Sequence, residues 1–166
     1  MAKLLVIDDD ARVSQLLKEY LIQEGHLVTT ASMAKEGFQE AMKTSPDLIL
    51  LDVMLPDATG FQVCGNLRKE TQTCQTPIIM MSGTARSVNQ QHLGRLMGAN
   101  DYLQKPLNII EVGDKVHQLL ASALPIPDAA PNPQVPAVKT ATQNIPEINL
   151  DRLFCVMLDA LKDPSR

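Results

Sequence analysis

The segment PDLILLDVMLPDATG, residues 46–60, has the pattern of a buried strand, a turn and the first residue of a helix. Leu48–Leu51 is an unbroken apolar run, which indicates a strand that is covered on both faces. Asp52 follows this run, and residues typical of turns lead from it to Gly60. From Gly60 to about Glu70, apolar residues recur at helical spacing. The segment therefore predicts a strand followed by a helix, with a carboxylate where the strand ends.

The same pattern of a strand followed by a helix recurs on both sides of this segment. The other predicted strands are Lys3–Ile7, Leu27–Ala31, Pro77–Met81 and Tyr102-Leu103. The other predicted helices are Ala11–Gly25, Ala34–Thr44, Arg86–Met97 and Leu107–Ala123, the last of them weakened internally by Gly113. Five strands that alternate with five helices predict an α/β fold, with a doubly wound five-stranded parallel sheet in a flavodoxin-like (βα)5 sandwich. We assign residues 1–123 to this domain.

The last part of the chain has a different composition. Residues 124–146 are rich in proline and are predicted to form an extended linker without a core of its own. Residues 147–166 contain one amphipathic helix, and its apolar stripe is the candidate surface for a partner protein. The stripe consists of Leu150, Leu153, Phe154, Met157, Leu158 and Leu161. Because an isolated helix of this length is marginally stable in water, we expect the stripe to pack against another surface.

Composition excludes several classes of function. The chain has 166 residues, a formal net charge of −4 and 3% aromatic residues. Direct binding of nucleic acid is not expected, because these totals show neither a basic surface nor an aromatic stacking platform. No apolar run is long enough to span a membrane, and the mixed charges of the C-terminal helix argue against a membrane surface. The three cysteines, Cys64, Cys74 and Cys155, lack metal-ligand spacing and are expected to be reduced thiols of a cytoplasmic protein.

Polar residues suited to chemistry follow four of the predicted strands. Asp8-Asp9-Asp10 follows the first strand, Asp52 the third, Ser82 the fourth and Lys105 the fifth. The carboxyl ends of parallel strands meet at one edge of a sheet, so these side chains are expected to converge. Clustered carboxylates favour a hard cation such as Mg²⁺, and a carboxylate nucleophile beside a cation, a lysine and a hydroxyl suits phosphoryl transfer. Taken singly, such an aspartate is more often a helix N-cap, which is the role expected of Asp10.

Four segments carry a family resemblance. They are Leu4–Asp10 (LLVIDDD), Pro46–Gly60 (PDLILLDVMLPDATG), Pro77–Gly83 (PIIMMSG) and Gly98–Pro106 (GANDYLQKP). In order and spacing they resemble the receiver domain of two-component response regulators, over about residues 3–121, and the tail is not covered. The resemblance implies a phosphoprotein of a signal transduction pathway or phosphorelay.

The resemblance implies a role for each residue of the acidic pocket. Asp52 would be the phosphoacceptor and would receive its phosphoryl group from a phosphohistidine of a sensor histidine kinase or phosphotransfer protein. Asp9 would bind Mg²⁺ directly and Asp8 largely through water, while Asp52 and the backbone carbonyl of Met54 would complete the protein ligands. Lys105 would contact the phosphoryl oxygens.

The resemblance also implies a switch. The hydroxyl of Ser82 would move to the phosphoryl group, and the Tyr102 ring would then rotate inward. The signal would reach the face formed by Arg86–Met97, Asp101–Gln104 and Leu107–Gln118. Arg95, Asp101, Glu111 and Lys115 on this face either make ion pairs across a phosphorylation-dependent homodimer or belong to an ordinary solvated surface.

Four further positions take expectations from the family. Pro106 would follow Lys105 through a cis bond, and Gly60 would supply a positive φ in the loop after the acceptor. Met54 and Thr84 occupy the positions that tune the lifetime of the phosphoryl group. Met54 is apolar and bulky, so it is expected to orient water poorly and self-dephosphorylation is expected to be intermediate or slow.

Output is expected to pass through protein–protein contacts, because one C-terminal helix is too short for a helix-turn-helix and carries no catalytic motif. The main hypothesis is a phosphorylation-switched binding module rather than an enzyme. One alternative is a receiver fragment of a longer regulator whose output domain is missing. Another is a small Mg²⁺-dependent phosphohydrolase, since Asp8 and Asp10 have the spacing of haloacid-dehalogenase-type phosphatases, although the Thr or Val that follows in their motif is absent.

Overall fold

The structure is a computed structural model that describes residues 1–83 and 94–123. The chain divides into two units, Met1–Ile126 and Pro127–Arg166, and the second lies outside the described residues. The predicted linker at 124–146 and the predicted helix at 147–166 are therefore outside the described part. Of the predicted helix Arg86–Met97, residues 94–97 are described, and residues 94–96 are helical.

The described residues form the predicted alternation of strands and helices. The strands are β1 (Lys3–Ile7), β2 (Leu27–Ala31), β3 (Leu48–Asp52), β4 (Ile78–Ser82) and β5 (Asp101–Gln104). The helices with described bounds are α1 (Ala11–Gln23), α2 (Ala34–Thr44), α3 (Gly60–Lys69) and α4 (Ile109–Ala123). All neighbouring strands pair in parallel, in the order β2-β1-β3-β4-β5. This order confirms the predicted doubly wound, flavodoxin-like sheet.

The sheet is covered on both faces, which explains the continuous apolar runs of its central strands. On one face, residues such as Ile7, Leu51 and Met80 pack against α2 and α3. On the other face, Val6 and Leu50 pack with buried residues of α1 and α4. Alternate residues of one strand therefore belong to two different cores, and every position of β3 and β4 is buried.

The helix ends follow local sequence signals. Asp10 is the N-cap of α1, as expected, and its carboxylate accepts a hydrogen bond from the Arg12 backbone N–H at 2.9 Å. Gly25 follows α1 with a φ of 86°, and Gly98 follows residues 94–96 with a φ of 92°. Within the described residues, no helix has the length and apolar character needed to cross a bilayer.

The strand order sets the place of the functional site. Strands β1 and β3 are neighbours, and the chain proceeds from β1 to β2 on one side and from β3 to β4 on the other. A crevice opens at such a switch point outside the carboxyl ends of the strands. Asp8 directly follows β1, and Asp52 is the last residue of β3. The fold therefore brings these two carboxylates to the crevice.

Candidate functional site

Three carboxylates gather at the carboxyl edge of the sheet. One carboxylate oxygen from each of Asp8, Asp9 and Asp52 lies within 4.8 Å of the others. Asp8 and Asp52 are buried, whereas Asp9 is exposed at the mouth of the crevice. Burial of two neighbouring carboxylates is unfavourable unless a positive charge compensates them. The arrangement therefore requires a cation, from the chain or from solution.

Lys105 supplies one such charge. Its Nζ lies 2.6 Å from Asp52 Oδ2 and 2.7 Å from Asp8 Oδ2. Burial lowers the pKa of Lys105, but the hydrogen bonds and charges of Asp52 and Asp8 outweigh it, so the pKa stands above its ordinary value. The Lys105–Pro106 peptide bond that follows is cis, as the family resemblance predicted. Lys105 therefore bridges the two buried carboxylates as a cation.

Asp8 keeps an oxygen that Lys105 does not fully satisfy. Its Oδ1 accepts a hydrogen bond from the Asp10 backbone N–H at 3.0 Å, whereas its buried Oδ2 faces the Lys105 ammonium group at 2.7 Å. A carboxylate oxygen carries two lone pairs, so this one contact leaves Oδ2 with further capacity to accept. Burial raises the pKa of Asp8, opposed by Lys105 and the Asp10 N–H.

This carboxylate set fits a hard divalent cation. The gathered donors are all oxygens, which is the ligand type that Mg²⁺ prefers. The incompletely satisfied Asp8 Oδ2 has electron pairs available for a cation or for water bound to it. Receiver-type Mg²⁺ binding, as expected for Asp8, Asp9 and Asp52, is therefore compatible with the geometry of the pocket.

The loop after β3 holds the Asp52 carboxylate in place. The Met54 backbone N–H donates to Asp52 Oδ1 at 3.1 Å, and Met54 and Thr59 form an isolated antiparallel bridge. Gly60 begins α3, and a Cβ there would overlap the Asp52 carbonyl oxygen. The φ of Gly60 is not positive, so the expectation of a left-handed glycine is wrong. Glycine is required because the helix start approaches the backbone of the acceptor so closely.

Ser82 and Tyr102 lie beside each other near the pocket. Ser82 is fully buried at the end of β4, and Tyr102 packs against the core from β5. Burial raises the pKa of Tyr102, a hydrogen bond with the Ser82 side chain opposes this, and the negative charge of Asp52 adds to it. The structure therefore connects the two predicted switch residues directly. Thr84 lies outside the described residues.

The face predicted for dimerisation is partly described. Asp101 and Lys115 pair within the chain, with 2.7 Å between Oδ2 and Nζ. Arg95 and Glu111 line the same cleft, which has a volume of about 340 Å³. Two of the four charges proposed for pairing across a dimer thus already have a partner in their own chain. The predicted partner-binding residues at 150–161 lie outside the described residues.

Sequence reasoning missed one residue beside the site and one at the opposite edge of the sheet. Asp57, in the loop after β3, accepts hydrogen bonds from the first backbone N–H groups of α2. Arg68 on α3 donates to carbonyl oxygens of the segments that precede β4 and β5. Asp57 follows a proline and is typical of a turn, and Arg68 is typical of an exposed helical residue. Neither pattern contains a signal for contacts with distant backbone.

The sequence of the chain is similar to those of known proteins. Residues 4–117 match the family model of the response regulator receiver domain. The DNA-binding dual master transcriptional regulator RpaA of Synechocystis sp. is 36% identical over 135 residues, which are 81% of this chain and 56% of that protein. The alkaline phosphatase synthesis transcriptional regulatory protein PhoP of Bacillus subtilis is 39% identical over 118 residues, 71% of this chain and 48% of that protein. The chain spans about half the length of the curated relatives it matches.

Solved structures of similar proteins have the same fold. A putative response regulator from Chloroflexus aurantiacus superposes with a TM-score of 0.69 at 33% identity, covering 72% of this chain and 98% of that one. The chemotaxis response regulator CheY4 of Vibrio cholerae superposes with a TM-score of 0.68 at 31% identity, again covering 72% and 98%. The similarity thus extends over nearly the whole length of each of these two structures.

Proposed function

Because this chain belongs to the response regulator receiver domain family, we propose that Asp52 accepts a phosphoryl group from a phosphohistidine and that this modification switches protein–protein contacts. The observation that carries the proposal is the convergence of Asp8, Asp9 and Asp52 with Lys105 at one edge of the sheet. This set combines a nucleophile with positive charge in a partly buried crevice, which phosphoryl transfer requires.

The transfer makes an acyl phosphate. An oxygen of the Asp52 carboxylate attacks phosphorus, the bond from phosphorus to the histidine nitrogen breaks, and its electron pair remains on the imidazole, which takes up a proton. Met54 N–H fixes the plane of the carboxylate through Oδ1. Lys105 Nζ, now at Oδ2, needs only a small movement to follow the charge onto the phosphoryl oxygens. The chain therefore supplies both orientation and charge neutralisation.

A divalent cation completes the proposed site. Asp8, Asp9, Asp52 and the backbone carbonyl of Met54 would hold Mg²⁺, with Asp8 acting largely through water. When bound, Mg²⁺ neutralises negative charge on the phosphoryl oxygens in the transition state. The buried and incompletely satisfied Asp8 Oδ2 supports this assignment.

The switch rests on Ser82 and Tyr102. We assign to the Ser82 hydroxyl a hydrogen bond with the new phosphoryl group, and to Tyr102 a change in packing when that hydroxyl moves. Their present hydrogen bond supports this coupling, because Ser82 cannot reorient without altering the environment of the tyrosine. The outcome would be a changed surface around Asp101–Gln104 and the neighbouring helices.

The partners follow from the family and from the chain itself. The donor would be a sensor histidine kinase or a phosphotransfer protein, and the protein would act in the cytoplasm. Downstream, we propose contact with another protein or a phosphorylation-dependent homodimer, rather than direct contact with nucleic acid. The curated relatives that this chain matches are named as transcriptional regulators, and the chain spans about half of their length.

A phosphohydrolase is the less favoured reading. In that class the second aspartate, two residues after the nucleophile, must be free to exchange protons with substrate. Here Asp10 would take this position relative to Asp8, but its carboxylate is the N-cap of α1 and accepts from the Arg12 N–H. The matching proteins are receiver domains and transcriptional regulators rather than classical enzymes.

Phosphorylation by a small donor tests the proposal. The full chain would be incubated with acetyl phosphate and Mg²⁺ and measured by intact mass spectrometry. We expect one alkali-labile phosphoryl group that is lost in Asp52→Ala and retained in Asp47→Ala, a matched change of an exposed aspartate at the other end of β3. An adduct that persists in Asp52→Ala, or multiple turnover of an added phosphoester, contradicts the assignment.

A further inference from the structure

Helix α2 begins without a cap from its own N-cap residue. Met33 occupies that position, and its side chain makes no capping hydrogen bond. Instead, Ala34 N–H donates to Asp57 Oδ1 at 2.7 Å, and Lys35 N–H donates to Asp57 Oδ2 at 2.9 Å. Both carboxylate oxygens of one residue thus serve the first turn of a helix 22 or more positions away in sequence.

The contact is electrostatically favourable. The N-terminus of a helix carries a partial positive charge and unpaired N–H groups, both of which attract a carboxylate. The hydrogen bonds from Lys35 and Ala34 lower the pKa of Asp57, although this carboxylate is exposed. Asp57 is therefore ionised at neutral pH and attached to α2 through two charge-assisted hydrogen bonds.

Asp57 lies in the loop that connects the acceptor strand β3 to α3. The two ends of this loop are joined to each other. Gly60 N–H donates a hydrogen bond to the Val53 carbonyl oxygen, and Met54 and Thr59 form the isolated bridge. Within residues 1–83 and 94–123, the two bonds of Asp57 are the hydrogen bonds that join residues 54–58 to an element other than β3 or α3. Leu55 and Ala58 of the loop also pack against the core, and Asp57 adds the polar contact that ties the loop to α2.

We propose that Asp57 is a positioning residue: by holding the start of α2, it fixes the loop that carries Met54 and thereby sets the affinity of the acidic pocket for Mg²⁺. The inference rests on the proposed function, because it takes the Met54 carbonyl as a ligand. Met54 N–H already orients Asp52, so a shift of this loop displaces the carbonyl ligand and loosens the acceptor carboxylate together. Coupling of this kind is reciprocal, so occupation of the pocket stabilises the contact with α2.

Two variants and a matched control separate positioning from simple helix capping. Asp57→Ala removes both hydrogen bonds, and Asp57→Asn keeps one acceptor oxygen. Asp47→Ala is the control, because Asp47 is also exposed and also accepts a backbone N–H, from Lys3 at 2.7 Å, at the opposite end of β3. Asp57→Ala loses two hydrogen bonds from backbone N–H groups beside the pocket, and Asp47→Ala loses one at the opposite end of β3.

The affinity for Mg²⁺ is measured on the full chain by calorimetric titration, at a temperature at which circular dichroism shows every variant folded. We expect Asp57→Ala to weaken binding about tenfold, as for residues that orient metal ligands. Asp57→Asn should lie between Asp57→Ala and the unmodified chain, and Asp47→Ala should match the unmodified chain. If the unmodified chain binds Mg²⁺ and Asp57→Ala binds it equally well, Asp57 is a helix cap only and the inference fails.

Amide hydrogen exchange gives a second test. If Asp57 were only a helix cap, Mg²⁺ would not change the exchange rate of the amides that it caps. In the unmodified chain, Mg²⁺ should slow exchange at the Ala34 and Lys35 amides, whose hydrogen bonds go to Asp57 and not to a carboxylate ligand. No change at these amides on saturation with Mg²⁺ overturns the coupling. Failure of the unmodified chain to bind Mg²⁺ at all would instead contradict the proposed function, so the two failures are distinguishable.

Discussion

The side chain of Tyr20 on α1 lies against the backbone of Gly113 on α4, so closely that a Cβ at position 113 would overlap the tyrosine hydroxyl. The same Cβ would lie 3.2 Å from the ring carbon that bears the hydroxyl. Both helices pack on the same face of the sheet, and Tyr20 contributes to the core beneath them. The absence of a side chain at Gly113 therefore allows Tyr20 of α1 to pack against the backbone of α4.

Substitution of Gly113 by alanine has two opposing effects on stability, a gain in helix propensity and a loss from overpacking. Alanine in a helix interior is favoured by about 1 kcal/mol over glycine, but an overpacked contact costs roughly 1–3 kcal/mol. We expect Gly113→Ala to lower the free energy of unfolding in the unmodified chain and to lower it less in a Tyr20→Phe background, where the hydroxyl is absent but the ring contacts remain. A double-mutant cycle by urea denaturation should give a coupling of about 1 kcal/mol. Equal effects in both backgrounds would show that the contact contributes nothing.

Much of the fold is predictable from the sequence for a specific physical reason. Leu4–Ile7, Leu48–Leu51 and Ile78–Met81 are continuous apolar runs because both faces of the sheet are covered. For the strands and helices whose bounds the structure describes, the predicted ends agree to within two residues. Convergence of Asp8 and Asp52 then follows from parallel pairing of β1 with β3, which places their carboxyl ends side by side.

The rest depends on contacts between distant residues, which local patterns do not encode. Gly113 has the sequence signal of a weak point in a helix, whereas its role is to admit Tyr20. Gly60 suggests a positive φ, whereas its role is close approach to Asp52. Asp57 and Arg68 each make their main hydrogen bonds to backbone that lies far away in the sequence. Periodicity and turn propensities report on neighbours along the chain and therefore cannot identify these partners.

Arg68 is expected to be a stability residue. Its guanidinium donates to the carbonyl oxygens of Gly98, Thr73 and Thr76 and to the side chain of Asn100, at 2.7–3.0 Å. Arg68→Met would leave these acceptors without their donor, and we expect a loss of about 3 kcal/mol in the free energy of unfolding.

Chemical denaturation measures the effect, with Lys69→Met as the control. Lys69 is exposed and neighbours Arg68 on the same helix, so its substitution should change stability by less than about 0.5 kcal/mol. Equal stability of the two variants would contradict a structural role for the guanidinium contacts.

His26 should make the fold less stable in mild acid. Burial lowers its pKa, with further lowering from His117 and the chain's amino terminus, while Glu24 opposes. Its Nδ1 accepts a hydrogen bond from Ala2 N–H at 3.4 Å, so protonation there would set two N–H groups against each other. A histidine with a lowered pKa contributes stability that is complete above the ordinary value of 6.5 and is lost as pH falls below it.

Thermal unfolding between about pH 7.5 and 5.5 tests this pH dependence. His26→Gln should show a smaller loss of stability over this range than the unmodified chain, since glutamine does not titrate. His117→Gln should also reduce the loss, but less, because it removes only one of the influences that lower the pKa of His26. A steeper loss in His26→Gln would show that the sign is wrong.

Met54 should make the phosphoryl group on Asp52 long-lived. Its side chain is 65% exposed at the mouth of the pocket and offers no group that orients an attacking water. Met54→Gln places an amide there while keeping the backbone N–H that holds Asp52, and we expect faster hydrolysis of the acyl phosphate. The decay of the phosphorylated mass after removal of the donor gives the rate, with the exposed Met33→Gln as control. A half-life of seconds in the unmodified chain would contradict the prediction.

Lys105 should compete with Mg²⁺ for the pocket. Its Nζ lies within 2.7 Å of an oxygen of both Asp8 and Asp52, so a divalent cation entering the site meets a positive charge at close range. Lys105→Met removes that repulsion, and we expect Mg²⁺ to bind about tenfold more tightly, a gain of about 1.4 kcal/mol. Without Mg²⁺ the variant should be less stable by roughly 2 kcal/mol, because two buried carboxylates lose their partner.

Lys105→Met is thus expected to strengthen Mg²⁺ binding and to lower stability in the absence of Mg²⁺. Lost packing of the side chain would lower stability but would not strengthen Mg²⁺ binding, so the pair of measurements identifies the effect of the charge. Mg²⁺ stabilises the folded chain by mass action, so its addition should raise the melting temperature of Lys105→Met more than that of the unmodified chain. Lys115→Met is the matched control, because the Lys115 side chain is 22% exposed against 18% for Lys105 and also pairs with an aspartate at 2.7 Å. Since Asp101 lies outside the carboxylate cluster, this control should leave the Mg²⁺ response unchanged. Weaker Mg²⁺ binding in Lys105→Met would mean that the lysine organises the carboxylates for the cation rather than competing with it.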